Sequence, residues 1–355
     1  MTRESILWIA LAVLLPGCPA DRPAGPAQPV EQAVEQAVEE APPSDDPLAT
    51  DNSLCFGDRR KVSLESKVAV GDGTATRVGY RLDLPTAAED KLVLGVLANI
   101  GNSTPATLAN LDGFIKAFQE AGADAILVDG DVGDSQVDLE ANLGRLAGSG
   151  IPVLAMVGNR EGRVDFERAV DAVRAEHPAV FNLNHIRLVN TPVADLVTLP
   201  GYNDRNFVHK SDGCVYDSNE LQFLTGVLAD ADSPVVLVAH SSHKMEGEDA
   251  VDHAIDTGNI GNPDLREWVQ ENKVRFGIYA NAQEAGGKGT ELSGSRVIKP
   301  GTAVGELFVN PGPAMSDPWT MNDRTESRGM GMVATFAANK LSYQVIRSEQ
   351  AVAPE

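Results

Sequence analysis

Basic residues are scarce in this chain. Of its 355 residues only 29 are Lys or Arg, against 51 Asp or Glu, giving a formal charge of −22. Affinity for a nucleic-acid backbone rests on clustered cations that release counterions, and no such cluster is present, so nucleic acid is not expected as a partner. Cysteine is scarcer still. Three residues, none in a Cys-x-x-Cys pair, cannot make a disulfide scaffold or a four-thiolate zinc site. Long apolar runs are missing too: beyond the N-terminus nothing approaches the roughly 18 residues that a membrane helix needs. The length suits one large or two modest domains with a substantial core.

The one notable apolar run lies at the start. Residues 6–15 read ILWIALAVLL behind Arg3, too short to span a bilayer and the right size for the hydrophobic region of a signal peptide. It ends in Leu15-Pro16-Gly17-Cys18, which resembles the bacterial lipobox, in which the cysteine is acylated and becomes the mature N-terminus. The reading is a signal peptide over 1–18, lipidation at Cys18, and a membrane partner reached through that anchor at the cell envelope. A plain secretory signal is the alternative. After Cys18 the chain turns rich in Pro, Ala and Glu, and residues 23–51 hold seven acids and no Lys or Arg. Such a segment buries too little apolar area to offset its ordering entropy, so 19–59 is expected to be a solvated tether. Cys55 and Cys214 are then left over, and an oxidising envelope would permit them to pair.

From about residue 60 to 350 short β-branched runs alternate with helical periodicities. Strands are expected at 92–97, 125–128, 153–157, 235–239 and 276–279. Helices are expected from Thr104-Pro105, with Leu108, Leu111, Ile115 and Phe118 on one face, and near 137–146, 166–175 and 263–272. Further strands are expected around 186–189, 196–199, 307–309, 333–336 and 341–345. The fold class is mixed α/β, with sheets packed face to face and helices outside.

In such folds chemistry collects at the carboxyl ends of strands, and the loops there form a series. They read Ala98-Asn99-Ile100-Gly101-Asn102, Gly130-Asp131-Val132-Gly133-Asp134, Gly158-Asn159-Arg160-Glu161, Ala239-His240-Ser241-Ser242 and Tyr279-Ala280-Asn281-Ala282-Gln283, with Asn310-Pro311-Gly312 near the end. In order and strand context the series resembles the calcineurin-like metallophosphoesterases, whose corresponding loops read Asp-x-His, Gly-Asp-x-x-Asp, Gly-Asn-His-(Asp/Glu), His and Gly-His-x-His. The resemblance covers about residues 92–347 and implies a four-layer α/β/β/α sandwich of two mixed sheets. It also implies a pair of divalent metals bridged by Asp131, which polarise a phosphoryl group and generate a hydroxide.

Several ligand positions depart from that pattern. Asn99 stands for the first aspartate, Gly101 for its histidine, Asn281 and Gln283 for the last two histidines, and Arg160 for the third motif's histidine. Asp131, Asn159, Glu161 and His240 match. One metal would be left with a single carboxylate and no imidazole, unsuited to a transition metal. The other would have Asp131, Asn159, His240 and Asn281, enough for one weakly held divalent ion (Mn, Fe, Zn or Mg) or none. Arg160, the candidate for a catalytic role with Glu161, either offers a bidentate fork to an anion or pairs with Asp131, Asp134 or Glu161. Charge satisfaction favours the pairing.

Other features read as structural. His243 is a loop histidine before it is a ligand. His177, His185, His209 and His253 are surface or packing residues. Gly286-Gly287-Lys288-Gly289-Thr290 lacks the phosphate-loop spacing and is a turn, Ser241 and Ser242 lack an orienting acid, and residues 246–256 are a solvated acidic loop. Two functions are compatible with this pattern: a scaffold kept as a binding or structural module, which ranks first, and a phosphoester hydrolase running on one ion at Asp131, Asn159 and His240.

Overall fold

The computed structural model describes residues 47–57 and 65–348, all within one compact unit spanning residues 41–355. Cys18, the signal peptide and most of the expected tether lie outside the described residues. The tether's last part is different in character from that expectation. Pro47–Thr50 forms a 3-10 turn and Ser53–Phe56 a single helical turn, α1, with Leu54 and Cys55 buried. A turn that short is not stable alone. It is held by a disulfide between Cys55 and Cys214, residues 159 apart in sequence, a constraint worth on the order of 5 kcal/mol against the unfolded chain. It is also held by Arg163 Nη1, which donates to Asn52 Oδ1 at 2.5 Å, and by Asn184 Nδ2, which donates to the Leu54 carbonyl at 3.3 Å. Composition pointed to solvation; the buried half-cystine outweighs it.

Ahead of the first expected strand lies an antiparallel meander of β1 (Ser66–Val70), β2 (Gly73–Val78) and β3 (Arg81–Asp83). The first three strand–helix units then run β4 (Lys91–Leu97), α2 (Pro105–Ala121), β5 (Ala125–Asp129), α3 (Gln136–Ala147), β6 (Val153–Met156), α4 (Arg163–Glu176) and β7 (Val180–Asn182). Thr104 caps α2 by accepting from the Thr107 amide, and Pro105 sits where no amide partner is needed. Next come β8 (Leu188–Asn190), β9 (Asp195–Leu199), α5 (Ser218–Leu228), β10 (Val235–Ala239), α6 (Pro263–Glu271) and β11 (Phe276–Ile278). The chain closes with β12 (Lys288–Thr290), β13 (Val297–Ile298), β14 (Leu307–Asn310), β15 (Met330–Ala337) and β16 (Lys340–Arg347).

These make two large mixed sheets. One has the order β16-β15-β4-β5-β6-β7, with β4 to β7 parallel; the other has the order β1-β2-β3-β8-β9-β10-β11-β14-β12-β13. Alternation along the strands separates three apolar layers. Leu94, Val96, Leu127, Met156, Val236 and Ile278 meet between the sheets; Ile126, Val128, Phe114, Leu143 and Phe166 lie under α2 to α4; Val197, Leu237, Leu224 and Trp268 lie under α5 and α6. The result is the expected α/β/β/α sandwich, and it brings the carboxyl ends of β4, β5, β6, β10 and β11 to one rim.

Beneath α1 sits a half-buried polar pair. His185 Nε2 lies 3.4 Å from Glu167 Oε2, each side chain 19% exposed, and Asn182 Nδ2 donates to that same oxygen at 2.8 Å. Burial, with Asp171, pushes the Glu167 carboxyl from 4.5 up to about 7; burial, with Arg77 and Arg174, pulls His185 from 6.5 down to about 4. A raised carboxyl costs stability progressively as pH rises from 4.5 to 7, whereas a depressed imidazole contributes stability present above 6.5 and lost as pH falls toward 4. The two slopes oppose one another between 4.5 and 6.5. Relative to the unaltered chain, Glu167→Gln should therefore make the urea midpoint rise more with pH across that window, and His185→Asn should make it fall more. Equal slopes in the two variants would show that the pair is not coupled to folding.

Candidate functional site

The rim is built from backbone before side chains. Asn99 and Asp131 stand at φ 53° and 54°, flanked by Gly101 at 70° and Gly130 at 75°, so the chain turns sharply as it leaves β4 and β5. The two loops are then zipped together: the Asn99 amide donates to the Gly130 carbonyl at 3.1 Å, and the Ile100 and Gly101 amides to the Asp131 carbonyl at 2.8 and 3.0 Å. Glycine is required where His240 enters. A Cβ on Gly130 would lie 2.4 Å from His240 Nδ1, and one on Gly158 would lie 2.4 Å from Asp131 Oδ1 and 2.8 Å from His240 Cε1.

Asp131, Asn159, Glu161 and His240 are brought together and buried. Asp131 Oδ1 accepts from the Asn159 and Arg160 amides, each at 3.1 Å, and lies 3.4 Å from His240 Nε2. That Nε2 is 3.2 Å from Asn159 Oδ1, while Nδ1 is 2.8 Å from the Asp129 carbonyl. Both ring nitrogens thus face acceptors, an arrangement satisfied by protons on both. Burial pulls the imidazole down but is outweighed by Asp131 beside it and Asp129 behind it, which raise it to about 9. Burial likewise pushes Asp131 up, and His240 with the Arg160 amide more than reverses this. Glu161 accepts from the Val132 amide and, at 2.9 Å, from the Gly158 amide; burial and the nearby Asp131 push it up to about 7.

Arg160 turns toward the rim. Its Nε and Nη2 grip Asp134 at 2.8 and 3.1 Å, with its side chain 32% exposed. Among the acids considered from sequence, Asp134 takes the guanidinium and Asp131 only the Arg160 backbone. Asn281 Nδ2 donates to the Tyr202 hydroxyl at 3.0 Å, and Asn99 Nδ2 to the Ala280 carbonyl at 3.1 Å. Gly101 has nothing within 4 Å of a Cβ position among the described residues, so a side chain there would enter open space. His243 is spent on the Tyr279 hydroxyl and the Leu292 carbonyl, both at 2.8 Å. Residues 246–256 are drawn together by Asp252, which accepts from the Met245 and Gly261 amides.

Two site features were not legible in the sequence reading. Asp129 is fully buried, and neither carboxylate oxygen has a hydrogen-bond partner among the described residues; burial pushes it up to about 7 against the pull of His240. The Asp-Gly-Asp spelling of residues 129–131 was the available signal. The second is a loop between β9 and α5, described below.

Against this geometry two metals do not fit. Asn99 Oδ1 and Gln283 Oε1 are buried with no partner among the described residues, but the one carboxylate of Asp131 and two neutral amides are a poor donor set for a transition metal. On the other side, Asp131, Asn159 and His240 already serve protein partners. No cluster of three or more His, Cys, Asp or Glu suited to a metal occurs among the described residues.

No family model matches the chain, and no curated protein does. Solved structures do. One superposes with a TM-score of 0.52 at 11% identity over 73% of this chain and all of its own. A dimetal phosphatase from Danio rerio matches at 12% identity and TM-score 0.45 over 73% of this chain and 99% of that one. Purple acid phosphatase PPD1 from yellow lupin seeds matches at 11% identity and TM-score 0.45 over 80% and 56%. The first of these agrees with the two sheets and outer helices seen here. The fold is an α/β/β/α sandwich of two mixed sheets. At such identities the likeness concerns fold and not chemistry.

The close approach of His240 gives a direct test. In this sandwich Gly158→Ala should cost about 1–3 kcal/mol by overpacking and shift the His240 ring resonances. Gly113→Ala, inside α2 with nothing within 4 Å, should be neutral or gain up to about 1 kcal/mol. Matching unfolding midpoints for the two variants would mean that the imidazole does not sit against Gly158.

Proposed function

We infer that this chain is an envelope lipoprotein, anchored through Cys18, whose phosphoesterase-fold domain serves as a binding or structural module with a catalytically impaired site. The observation that carries the reading is where the surviving motif atoms spend their bonds. Asp131 is used on two backbone amides and an imidazole, Asn159 on the Phe207 carbonyl, and Arg160 on Asp134. A phosphoesterase needs those groups turned toward metals and phosphate. Paired metals supply several kcal/mol of transition-state stabilisation, and the groups that would hold them are altered at Asn99, Gly101, Asn281 and Gln283.

The test is elemental analysis of protein purified without chelators, alongside assays of phosphomonoesters and phosphodiesters with added manganese. Less than stoichiometric metal and no turnover are expected. The triple variant Asn99→Asp, Asn281→His, Gln283→His should then gain bound metal, because it returns a carboxylate and two imidazoles to the rim. Turnover by the unaltered chain that is lost in Asp131→Ala and His240→Ala would instead establish the hydrolase running on a single ion.

A further inference from the structure

The loop between β9 and α5 lies directly on the candidate site. The Asn159 Nδ2 donates to the Phe207 carbonyl at 2.7 Å, the His209 amide donates to the Asn159 carbonyl at 2.9 Å, and the Tyr202 hydroxyl receives Asn281. Its only regular structure is the 3-10 turn Arg205–Phe207. What shape it has comes from Arg205, whose guanidinium donates to the carbonyls of Lys210, Ser211 and Gly213 at 2.7 to 3.2 Å. Arg205, Asn206 and Phe207 at its tip are exposed. A segment of this kind, with few apolar contacts and water-accessible backbone bonds, opens readily unless its ends are fixed.

One end is fixed by covalent means. Cys214, which accepts from the Tyr202 amide at 3.1 Å and so closes the base of the loop, is bonded to Cys55. Cys55 sits in α1, which is seated on α4 through Arg163 and on the loop after β7 through Asn184. The start of α4 is in turn tied to the loop, because the Val164 amide donates to Asp212 Oδ2 at 3.2 Å. Residues 51–57, the start of α4 and the loop therefore form one packed rim.

We propose that the Cys55–Cys214 disulfide is a strap that makes the 47–57 segment hold the 202–214 loop, and with it the side chains of Asn159 and Asn281, in place. Cys55 and Cys214 are positioning residues here: they act on Asn159 through Phe207 and touch no ligand. This goes beyond the inferred binding role and does not depend on whether any metal or substrate binds.

The experiment compares the full chain with its Cys55→Ser, Cys214→Ser variant by amide hydrogen exchange and by NMR of asparagine side-chain amides. The strap predicts that exchange in 202–214 rises about ten-fold or more and that the Asn159 Nδ2 protons lose their protection, while the backbone resonances of β5 and β10 and the Asn142 Nδ2 protons, bonded to the Val132 carbonyl at 2.8 Å, keep their native chemical shifts. Unchanged exchange in the loop overturns the proposal. So does displacement of the β5 and β10 resonances together with those of the loop, because the disulfide would then hold the native arrangement of both sheets and not this rim. Should the variant fail to fold, the folded native chain is reduced with a water-soluble phosphine and exchange is read in the first minutes, with the same outcomes deciding.

Discussion

His240 is a buried link between the two sheets at the rim formed by their carboxyl strand ends. It leaves β10 in the ten-stranded sheet and crosses to the six-stranded one, where Nδ1 meets the Asp129 carbonyl and Nε2 faces Asp131 and Asn159. The ring is fully buried, so its two N–H groups cannot fall back on water, and an unmade bond there would carry the full desolvation cost. The glycines at 130 and 158 follow from this crossing, because any side chain at either would occupy the space of the ring or of Asp131. So does the low carboxyl of Asp131, which is held ionised by the imidazole it faces.

That crossing also sorts the motif positions into two kinds. Asp131, Asn159, Glu161 and His240 each satisfy a protein group: an amide, a carbonyl or one another. Their loss would leave buried polar atoms stranded whatever the chemistry of the cleft. Asn99 and Gln283 are different, because each keeps a buried oxygen without a partner among the described residues, and Gly101 leaves space where a side chain would fit. The four matching positions all bond protein groups with the atoms that define them; among the departing ones Arg160 and Asn281 do so as well, while Asn99 bonds through its nitrogen alone.

The strand-end loops were readable because their residue types recur in fixed order after β-branched runs, and the layers were readable because period-two burial and helical periodicity alternate cleanly from β4 onward. What escaped the sequence escaped for identifiable reasons. The β1–β3 meander and α5 carry weaker periodicity than the central strands, so neither was placed. Residues 47–57 sit in an acidic, proline-rich context, and nothing local shows that Cys55 has a partner 159 residues away. Asp129 reads as one more strand-end acid; only the pleat, which turns Leu127 and Asp129 toward the same inter-sheet layer, shows that its carboxylate is enclosed.

Charge gives the last constraint. Asp129, Asp131, Asp134 and Glu161 crowd one rim of a strongly acidic chain, and bringing four carboxyls together without cations is costly in a low-dielectric setting. The fold answers with Arg160 on Asp134, with His240 beside Asp131, and with protonation, since burial lifts Asp129 and Glu161 to about 7. In a working two-metal centre the same acids would face dications, and Arg160 would compete with them for the same negative charge. A guanidinium committed to Asp134 and an imidazole enclosed by oxygen acceptors therefore stabilise one arrangement of the rim at the expense of the other. The arrangement they stabilise is the one in which the acids are neutralised from within the chain.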